Sequence, residues 1–332
     1  SNQFFNVLFP DCTMTNKAPS GPYNSCKVPH SPGRLERLLR AGTFTVTAET
    51  TPPVSADPSS LLKATESLAG LADAVNVTDG AGAKSHMASL AAASLLVQAG
   101  IEPVLQFTVR DRNRIALQND LLGAAALGIP NILCLTGDNV DTGDQPEAKM
   151  VMDLDSRGLM ALTRDMRNQR QLPSGRPIVT PPGLFIGAAD TPQDPDKDWS
   201  PATLRAKIEA GAEFFQTQFC FDIDVVRRYM DRLDEEGILE ESYFLIGIGP
   251  IPSVKSARWM NKNLYGVHIP DWIIDRLEKA SDPQAESINI CIELIQQLRE
   301  INGVSGVHIM GPRVEKAAAQ VIANTGIMKE RE

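Results

Sequence analysis

The sequence predicts an α/β protein, a single (β/α)₈ barrel of the TIM-barrel type with an irregular N-terminal extension. Two observations support this fold class. Eight short apolar runs rich in β-forming residues alternate with longer helical patterns, and most of these runs are continuous rather than alternating in polarity. Continuous apolar strands are typical of a parallel sheet that is covered on both faces. Eight such units within one chain of 332 residues favour a closed barrel.

The predicted strands follow one another at even spacing. They span residues 44–50, 74–78, 103–109, 131–136, 184–188, 214–219, 244–249 and 306–310. A doubly wound open sheet is the alternative architecture. The first predicted strand, however, is not followed by the glycine-rich G-x-G-x-x-G turn that is common in that fold.

Helix signals fill the segments between the predicted strands. Asp57-Pro58 and Ser200-Pro201 each offer a capping residue followed by a proline suited to the first helical position. Gly237 stands where a helix beginning near residue 225 would end. The other predicted helices span residues 34–39, 85–98, 112–127, 155–168, 254–261, 270–279, 285–301 and 312–324.

The first 33 residues differ from the rest of the chain. Five prolines interrupt them and no apolar period is sustained, which indicates irregular structure. We therefore expect two parts, an irregular extension in residues 1–33 and a barrel domain in residues 34–332.

Composition limits the classes of function. The apolar fraction of 42% is typical of a folded globular protein. The net charge of −9 does not favour a nucleic-acid or anionic-membrane surface. No apolar run is long enough to cross a bilayer, so no membrane association is expected. Five cysteines, an odd number, suggest reduced thiols in a cytoplasmic protein.

Polar residues where barrel strands end are the candidates for chemistry, because active sites of this fold lie at that face. Glu49 sits in an apolar strand, and Asp138 follows the glycine after strand four. Gln216 and Gln218 share one face of strand six. The two carboxylates also have structural interpretations. Glu49 could be a buried carboxylate whose hydrogen bonds are satisfied, and Asp138 could be a turn residue.

Weaker candidates lie elsewhere on the strand ends. Arg110 and Arg112 could clamp an anion, although Asp111 between them could simply cap the next helix. His308 in strand eight is interpreted as a core residue. The four histidines show no spacing typical of metal ligands, so no metal site is predicted in the barrel.

Several segments in register resemble the 5,10-methylenetetrahydrofolate reductase family. They are TVTAETTPP at 45–53, VTDGA at 77–81, LTGD at 135–138, EAGA at 209–212 and TQF at 217–219. The similarity runs over roughly residues 35–327, in order and at the predicted strand ends.

The resemblance implies a TIM barrel that binds FAD, takes electrons from NADH or NADPH, and acts on a tetrahydrofolate substrate, as a homo-oligomer. Glu49 matches the catalytic acid, Asp138 a catalytic aspartate beside the flavin that also contacts substrate, and Gln218 a folate-contacting glutamine. The implied cofactor-binding residues are Thr78, Gln106, Thr136, Gly137, Asp138, Asp153, Gly187, Ala188 and Lys207.

The sequence also departs from the family pattern. Asp79 replaces a common aromatic residue, Gln106 replaces a common histidine, and strand five leads into Asp190-Thr191 without the usual tyrosine and histidine. These changes bear on individual flavin contacts. They leave Glu49, Asp138 and Gln218 intact. Two rival functions are a flavin-free folate-dependent methyltransferase with the same pterin pocket and a non-catalytic barrel subunit, which the unusual N-terminal extension suggests.

The N-terminal extension resembles a degraded copy of a small zinc-binding module. Cys12, Cys26 and His30 are its remaining candidate ligands, fewer than the four that structural zinc sites usually employ. A structural arm or a partner-contact segment is therefore favoured over a working zinc site.

Overall fold

The structure is a computed structural model that describes residues 28–331. Its eight strands are all parallel and close into a barrel in chain order, with β8 pairing with β1. This confirms the predicted (β/α)₈ architecture and excludes the open sheet. Cys12 and Cys26 of the zinc-like motif lie outside the described residues.

The strands match the predicted runs to within two residues at either end. They are β1 Thr45–Thr50, β2 Ala74–Val77, β3 Pro103–Thr108, β4 Asn131–Leu135, β5 Phe185–Asp190, β6 Phe214–Phe219, β7 Tyr243–Ile248 and β8 Val304–Ile309. The helices are α1 Arg34–Arg40, α2 Ser59–Thr65, α3 Ser89–Gln98, α4 Arg114–Ala126, α5 Ser156–Gln169, α6 Ala202–Ala210, α7 Ile223–Glu235, α8 Val254–Asn263, α9 Asp271–Lys279, α10 Pro283–Leu298 and α11 Glu315–Thr325.

Three helices begin two or more residues later than predicted, and one of them is α11, which starts at Glu315 rather than at residue 312. Helix α3 starts at Ser89 rather than at residue 85, because the segment before it is held by a hydrogen bond from the Met87 N–H to the Pro53 carbonyl, 2.8 Å. Helix α4 starts at Arg114, with the Asn113 side chain accepting from its first free N–H groups. Asp111 is therefore not the cap of this helix.

The predicted glycine at the end of α7 is confirmed, whereas the predicted N-caps Asp57 and Ser200 each lie one residue too early, because Pro58 and Pro201 occupy the cap positions. Asp57 accepts from the Ser59 N–H at 3.0 Å, and Ser200 accepts more weakly from the N–H of Ala202. Both following prolines lie just before the helix rather than inside it. Gly237 has a φ of 72°, in the left-handed region that glycine adopts readily where a helix ends.

The core has two parts. The larger part fills the space between the strands and the outer ring of helices. The smaller part lies inside the barrel, where Leu35 and Leu39 of α1 pack against Phe185, Phe214 and other interior side chains. Helix α1 therefore closes the amino-terminal end of the barrel, and the opposite end is left for a site.

Charged groups fasten α1 to this lower end. The fully buried Glu36 carboxylate accepts from the N–H groups of His30 and Ser31 at 2.8 Å and pairs with Arg40 at 2.7 Å. Glu213, just before β6, pairs with Arg167 of α5 at 2.8 Å and with the His30 imidazole. Within residues 28–331, no helix combines the length and apolar character that crossing a membrane requires.

Candidate functional site

Glu49 lies at the carboxyl end of β1 with a partly exposed side chain, 19% accessible. Gln106 of β3 donates from Nε2 to Glu49 Oε2 at 3.0 Å. The Nε2 atom of His308 on β8 lies 3.7 Å from the same oxygen. Three strands thus bring an acid, an amide donor and an imidazole together at the carboxyl-terminal end of the barrel.

A buried polar layer lies beneath Glu49. We define it as Thr47, Asn76, Gln216 and His308. The Gln216 amide exchanges hydrogen bonds with Asn76, and its Nε2 also donates to Thr47 Oγ1 at 3.0 Å. Strand β6 is not a neighbour of β1 or β2, so these contacts cross the barrel interior. Every member is at most 3% exposed, and the shared hydrogen bonds offset the cost of burying these groups.

The end of β4 presents Asp138 on an exposed turn. Its Oδ2 accepts from the Gly82 N–H at 2.7 Å, which joins the loops after β4 and β2. Gly137 has a φ of 94°, and a Cβ there would lie only 3.0 Å from the Cβ of Arg110. The chain needs glycine at this point, both for its conformation and for the close approach. Thr136 is exposed beside it.

The two predicted anion-clamping arginines are already paired. Arg110 forms an ion pair with Asp111 at 2.7 Å, and Arg112 one with Asp79 at 2.6 Å. Burial works to raise the pKa of Asp79, but the hydrogen bonds and charge of Arg112 outweigh it and hold that pKa below its usual value. These side chains brace the strand ends. The adjacent Thr78 hydroxyl is buried and has no hydrogen-bond partner among the described residues.

Strand β5 ends beside a lysine and a buried carboxyl group. Lys207 donates to the Ala189 carbonyl at 2.6 Å, and burial lowers its pKa. Asp190 accepts from the Tyr229 hydroxyl at 2.8 Å, and burial raises the pKa of Asp190. This cluster backs the strand end with groups whose proton affinities are shifted. The sequence patterns had not singled out Tyr229 for it.

Three of the implied cofactor residues stand apart from this arrangement. Gly187 faces the Phe214 ring inside the barrel, and the Ala188 side chain belongs to the outer core. Asp153 receives the backbone N–H and the guanidinium of Arg114, each at 2.9 Å, and these hydrogen bonds lower the pKa of Asp153 to about 2. Any cofactor contact by Gly187 or Ala188 would run through the backbone.

Gln218, the remaining candidate for substrate binding, and His308, which the sequence analysis interpreted as a core residue, both lie toward the carboxyl-terminal end of the barrel. Gln218 on β6 is partly buried, and its Oε1 accepts from the Phe219 N–H at 2.9 Å. His308 is buried, as a core residue would be, yet it faces Glu49. Only the pairing of β8 with β1 reveals that proximity, since the two residues are far apart in sequence.

One group in the described part of the chain has the composition of a metal site: His30, Glu36 and Glu213. Arg40 reaches both carboxylates, at 2.7 and 3.7 Å, and Arg167 pairs with Glu213. Two guanidinium groups already supply the positive charge that a cation would bring. We interpret the cluster as an ion-pair network.

A protein-family comparison matches this chain to the model described as methylenetetrahydrofolate reductase, over residues 34–326. A probable NADPH-dependent methylenetetrahydrofolate reductase of Caenorhabditis elegans is 26% identical over 91% of the chain and 40% of the relative. Methylenetetrahydrofolate reductase 1 of Schizosaccharomyces pombe is 25% identical over 77% of the chain and 41% of the relative. The chain thus spans about two fifths of the length of these relatives.

A bacterial relative and a solved structure extend the comparison. The 5,10-methylenetetrahydrofolate reductase of Pectobacterium carotovorum is 25% identical over 63% of the chain and 64% of the relative. A Clostridium thermocellum protein described as binding two copies of 5-methyl-5,6,7,8-tetrahydrofolic acid superposes with a TM-score of 0.61. It covers 89% of this chain and 99% of its own, at 14% identity, and this likeness concerns the fold alone.

Proposed function

Because the chain belongs to the methylenetetrahydrofolate reductase family, we propose that it interconverts 5,10-methylenetetrahydrofolate and 5-methyltetrahydrofolate with electrons from NADH or NADPH by way of FAD. The observation that carries this proposal is the position of Glu49. Its carboxylate stands at the catalytic end of the barrel, partly exposed, with Gln106 as a donor to one oxygen. A positioned carboxylic acid of this kind is suited to proton transfer.

The residues around Glu49 fit a flavin. Thr78 offers a buried hydroxyl without a partner among the described residues, and Gly137 allows a close approach of backbone to ligand. Gln106, Thr136 and Lys207 border the same strand ends. Bound FAD would supply the two-electron, hydride-transferring chemistry that amino-acid side chains lack.

The protein's own groups would handle the proton and the charge. Glu49 gives a proton to the imidazolidine ring of the folate, which opens it to a 5-iminium cation that can accept hydride. The Asp138 carboxylate, fixed by the Gly82 N–H, places a negative charge that favours this cation. Gln218 keeps its amide N–H groups for folate, because no described residue accepts from them.

Substituting Glu49 tests the acid role. We expect Glu49→Gln to leave flavin reduction by NAD(P)H nearly unchanged, because that step needs no proton on folate. The folate half-reaction should slow by about 10²–10⁴-fold, the usual worth of general acid catalysis. Anaerobic stopped-flow traces of the flavin absorbance separate the two steps.

Glu315→Gln is the matched control. Glu315 also contacts β1, through the Thr50 hydroxyl at 2.7 Å, but it belongs to α11 on the outside of the barrel. Both half-reactions should stay at wild-type rates in this variant. Equal slowing of the two half-reactions in Glu49→Gln would remove Glu49 from the acid role.

The rival functions differ in simple observables. A flavin-free methyltransferase would purify colourless and would show no NAD(P)H oxidation. A non-catalytic subunit would bind neither folate nor nucleotide, although the acid and its donor argue against that. The homo-oligomeric state is likewise a proposal, which light scattering of the purified protein would check.

A further inference from the structure

His308 lies against the proposed acid, and no step above employs it. Its side chain is 3% exposed, and its Nε2 lies 3.7 Å from Glu49 Oε2. We propose that His308 is a positioning residue that directs an N–H group at Glu49 and holds its carboxylate in the orientation used for proton transfer. The inference rests on the proposed function of Glu49 and adds a second residue to it.

The polar layer determines which imidazole nitrogen carries the proton. Nδ1 of His308 lies 3.0 Å from Thr47 Oγ1 and 3.4 Å from Gln216 Nε2. The two Gln216 amide hydrogens already go to Asn76 and Thr47, so the Thr47 hydroxyl decides the role of Nδ1. Its hydrogen has two acceptors within reach, Nδ1 at 3.0 Å and the Val307 carbonyl at 3.4 Å, and the shorter contact makes Nδ1 the acceptor. In the neutral ring the proton is then on Nε2, the atom that faces Glu49.

The two oxygens of the Glu49 carboxylate have different surroundings, because both neighbouring N–H donors face the same oxygen. Gln106 Nε2 and His308 Nε2 both face Glu49 Oε2. No described residue donates to Oε1, which is left for the substrate proton. The 3.7 Å separation is longer than a hydrogen bond, so the imidazole acts electrostatically at this distance and would need a small side-chain movement to donate.

Among the described residues that contact the His308 side chain, Glu49 is the ionisable one. The other members of the polar layer are uncharged: β1 contributes the Thr47 hydroxyl, and β2 and β6 contribute the amides of Asn76 and Gln216. Gln106 adds another amide above them. When Glu49 has given up its proton, the positive end of the His308 N–H dipole faces the new negative charge and favours it.

Two substitutions separate positioning from packing. The amide of His308→Asn can take the place of Nδ1 and keep the contact with Thr47, but it lacks a donor toward Glu49. The longer His308→Gln can place its amide nitrogen near the position of Nε2. We expect the folate half-reaction to slow by about 10- to 100-fold in the asparagine variant and to recover most of that loss in the glutamine variant.

The pH profile distinguishes a positioning role from a merely structural one. In His308→Asn, the alkaline limb of the folate half-reaction should move to higher pH, because the ionised acid has lost a stabilising donor. The reductive half-reaction should keep its wild-type rate in both variants. A wild-type rate in His308→Asn, or equal slowing in both variants with an unmoved pH profile, would overturn the proposal.

A spectroscopic measurement judges His308 independently of turnover. The chain contains only four histidines, so comparing ¹⁵N-histidine NMR spectra of wild type and His308→Asn assigns the resonance. We expect the Nε2–H form, with shifts that move in Glu49→Gln. An Nδ1–H form, or shifts that ignore Glu49→Gln, would refute the contact. If the wild type fails to reduce folate, the proposed function fails while this measurement still decides the contact.

Discussion

The negative charge of Asp138 is held in place by a backbone group rather than by a cation. Its Oδ2 accepts from the Gly82 N–H, and the Arg110 guanidinium reaches only the backbone carbonyl of Asp138, at 3.1 Å. The carboxylate therefore lies on an exposed turn at the rim of the barrel, fixed by a backbone hydrogen bond. Charge in that place would bear on any redox group or cation bound there.

We expect Asp138→Asn to raise the flavin midpoint potential and to slow folate reduction. The amide oxygen can still accept from Gly82, but the negative charge that disfavours anionic reduced flavin is gone. A rise of about 30 mV corresponds to about 1.4 kcal/mol for a two-electron couple. Spectroelectrochemistry measures the potential, and Asp144→Asn on the same loop is the charge-matched control. Unchanged potential and unchanged folate kinetics would leave Asp138 a turn residue.

At the level of single residues, sequence reasoning found the acids better than their partners. Glu49 stands out because a carboxylate within an apolar strand is costly to bury without a partner, and Asp138 because it follows a glycine at the rim of the predicted barrel. His308 did not stand out, because a histidine in a strand resembles a core residue until the barrel closes. The sequence did not predict the ion pair between Arg112 and Asp79 either, because the two residues meet only when the neighbouring strands β2 and β3 pair.

At the scale of elements, Glu213 joins β6 to its neighbours at the lower end of the barrel. It accepts from the Arg167 guanidinium and from the Ile186 N–H of β5, and it also pairs with His30. Burial works to raise the pKa of Glu213, but His30 and Arg167 outweigh it, so the pKa lies below its usual value of 4.5.

We expect Glu213→Gln to lower the free energy of unfolding by about 3 kcal/mol at pH 7, because it leaves charged partners buried and uncompensated. The folded-state pKa is depressed, so this contribution is complete above the unfolded value and is lost as pH falls through the folded one. Urea unfolding from pH 7 down to pH 4 should show the gap to wild type narrowing below about pH 4.5.

The exposed Glu235, paired with Arg232 one turn earlier in α7, is the control for this experiment. Glu235→Gln should stay within about 0.5 kcal/mol of wild type at every pH. A difference between Glu213→Gln and wild type that did not depend on pH would mean that the effect comes from shape rather than charge.

Strands were easier to predict than helix boundaries. A parallel strand covered on both faces is a continuous apolar run, so its ends show in the sequence, as in β4 Asn131–Leu135. A helix start depends on which group satisfies the first free N–H groups. For α4 the cap is Asn113, two residues beyond Asp111. For α3 a contact with Pro53 delays the start.

At the scale of the whole molecule, the proposed domain boundary at residue 33 separates residues that are joined by hydrogen bonds. The buried Glu36 carboxylate takes hydrogen bonds from His30 and Ser31, which both precede that boundary. All eight strands lie after it. The barrel and the segment before it are thus separate in topology and joined by hydrogen bonds.

Two truncations test this boundary. A chain starting at Val28 keeps every donor to Glu36, and a chain starting at Gly33 loses those of His30 and Ser31. We expect both to fold and bind flavin, with the shorter one less stable by about 1–3 kcal/mol. Circular dichroism and urea unfolding measure this. An insoluble or colourless shorter chain would mean that residues 28–32 complete the barrel.

The polar layer also affects how this protein can change over generations. Thr47, Asn76, Gln216 and His308 satisfy one another, so replacing one alone leaves a buried partner unsatisfied at a cost of about 1–3 kcal/mol. The apolar layer below accepts exchanges of similar volume one at a time. We therefore expect the apolar layer to change through successive single substitutions during evolution. The four residues of the polar layer should instead be kept or replaced together.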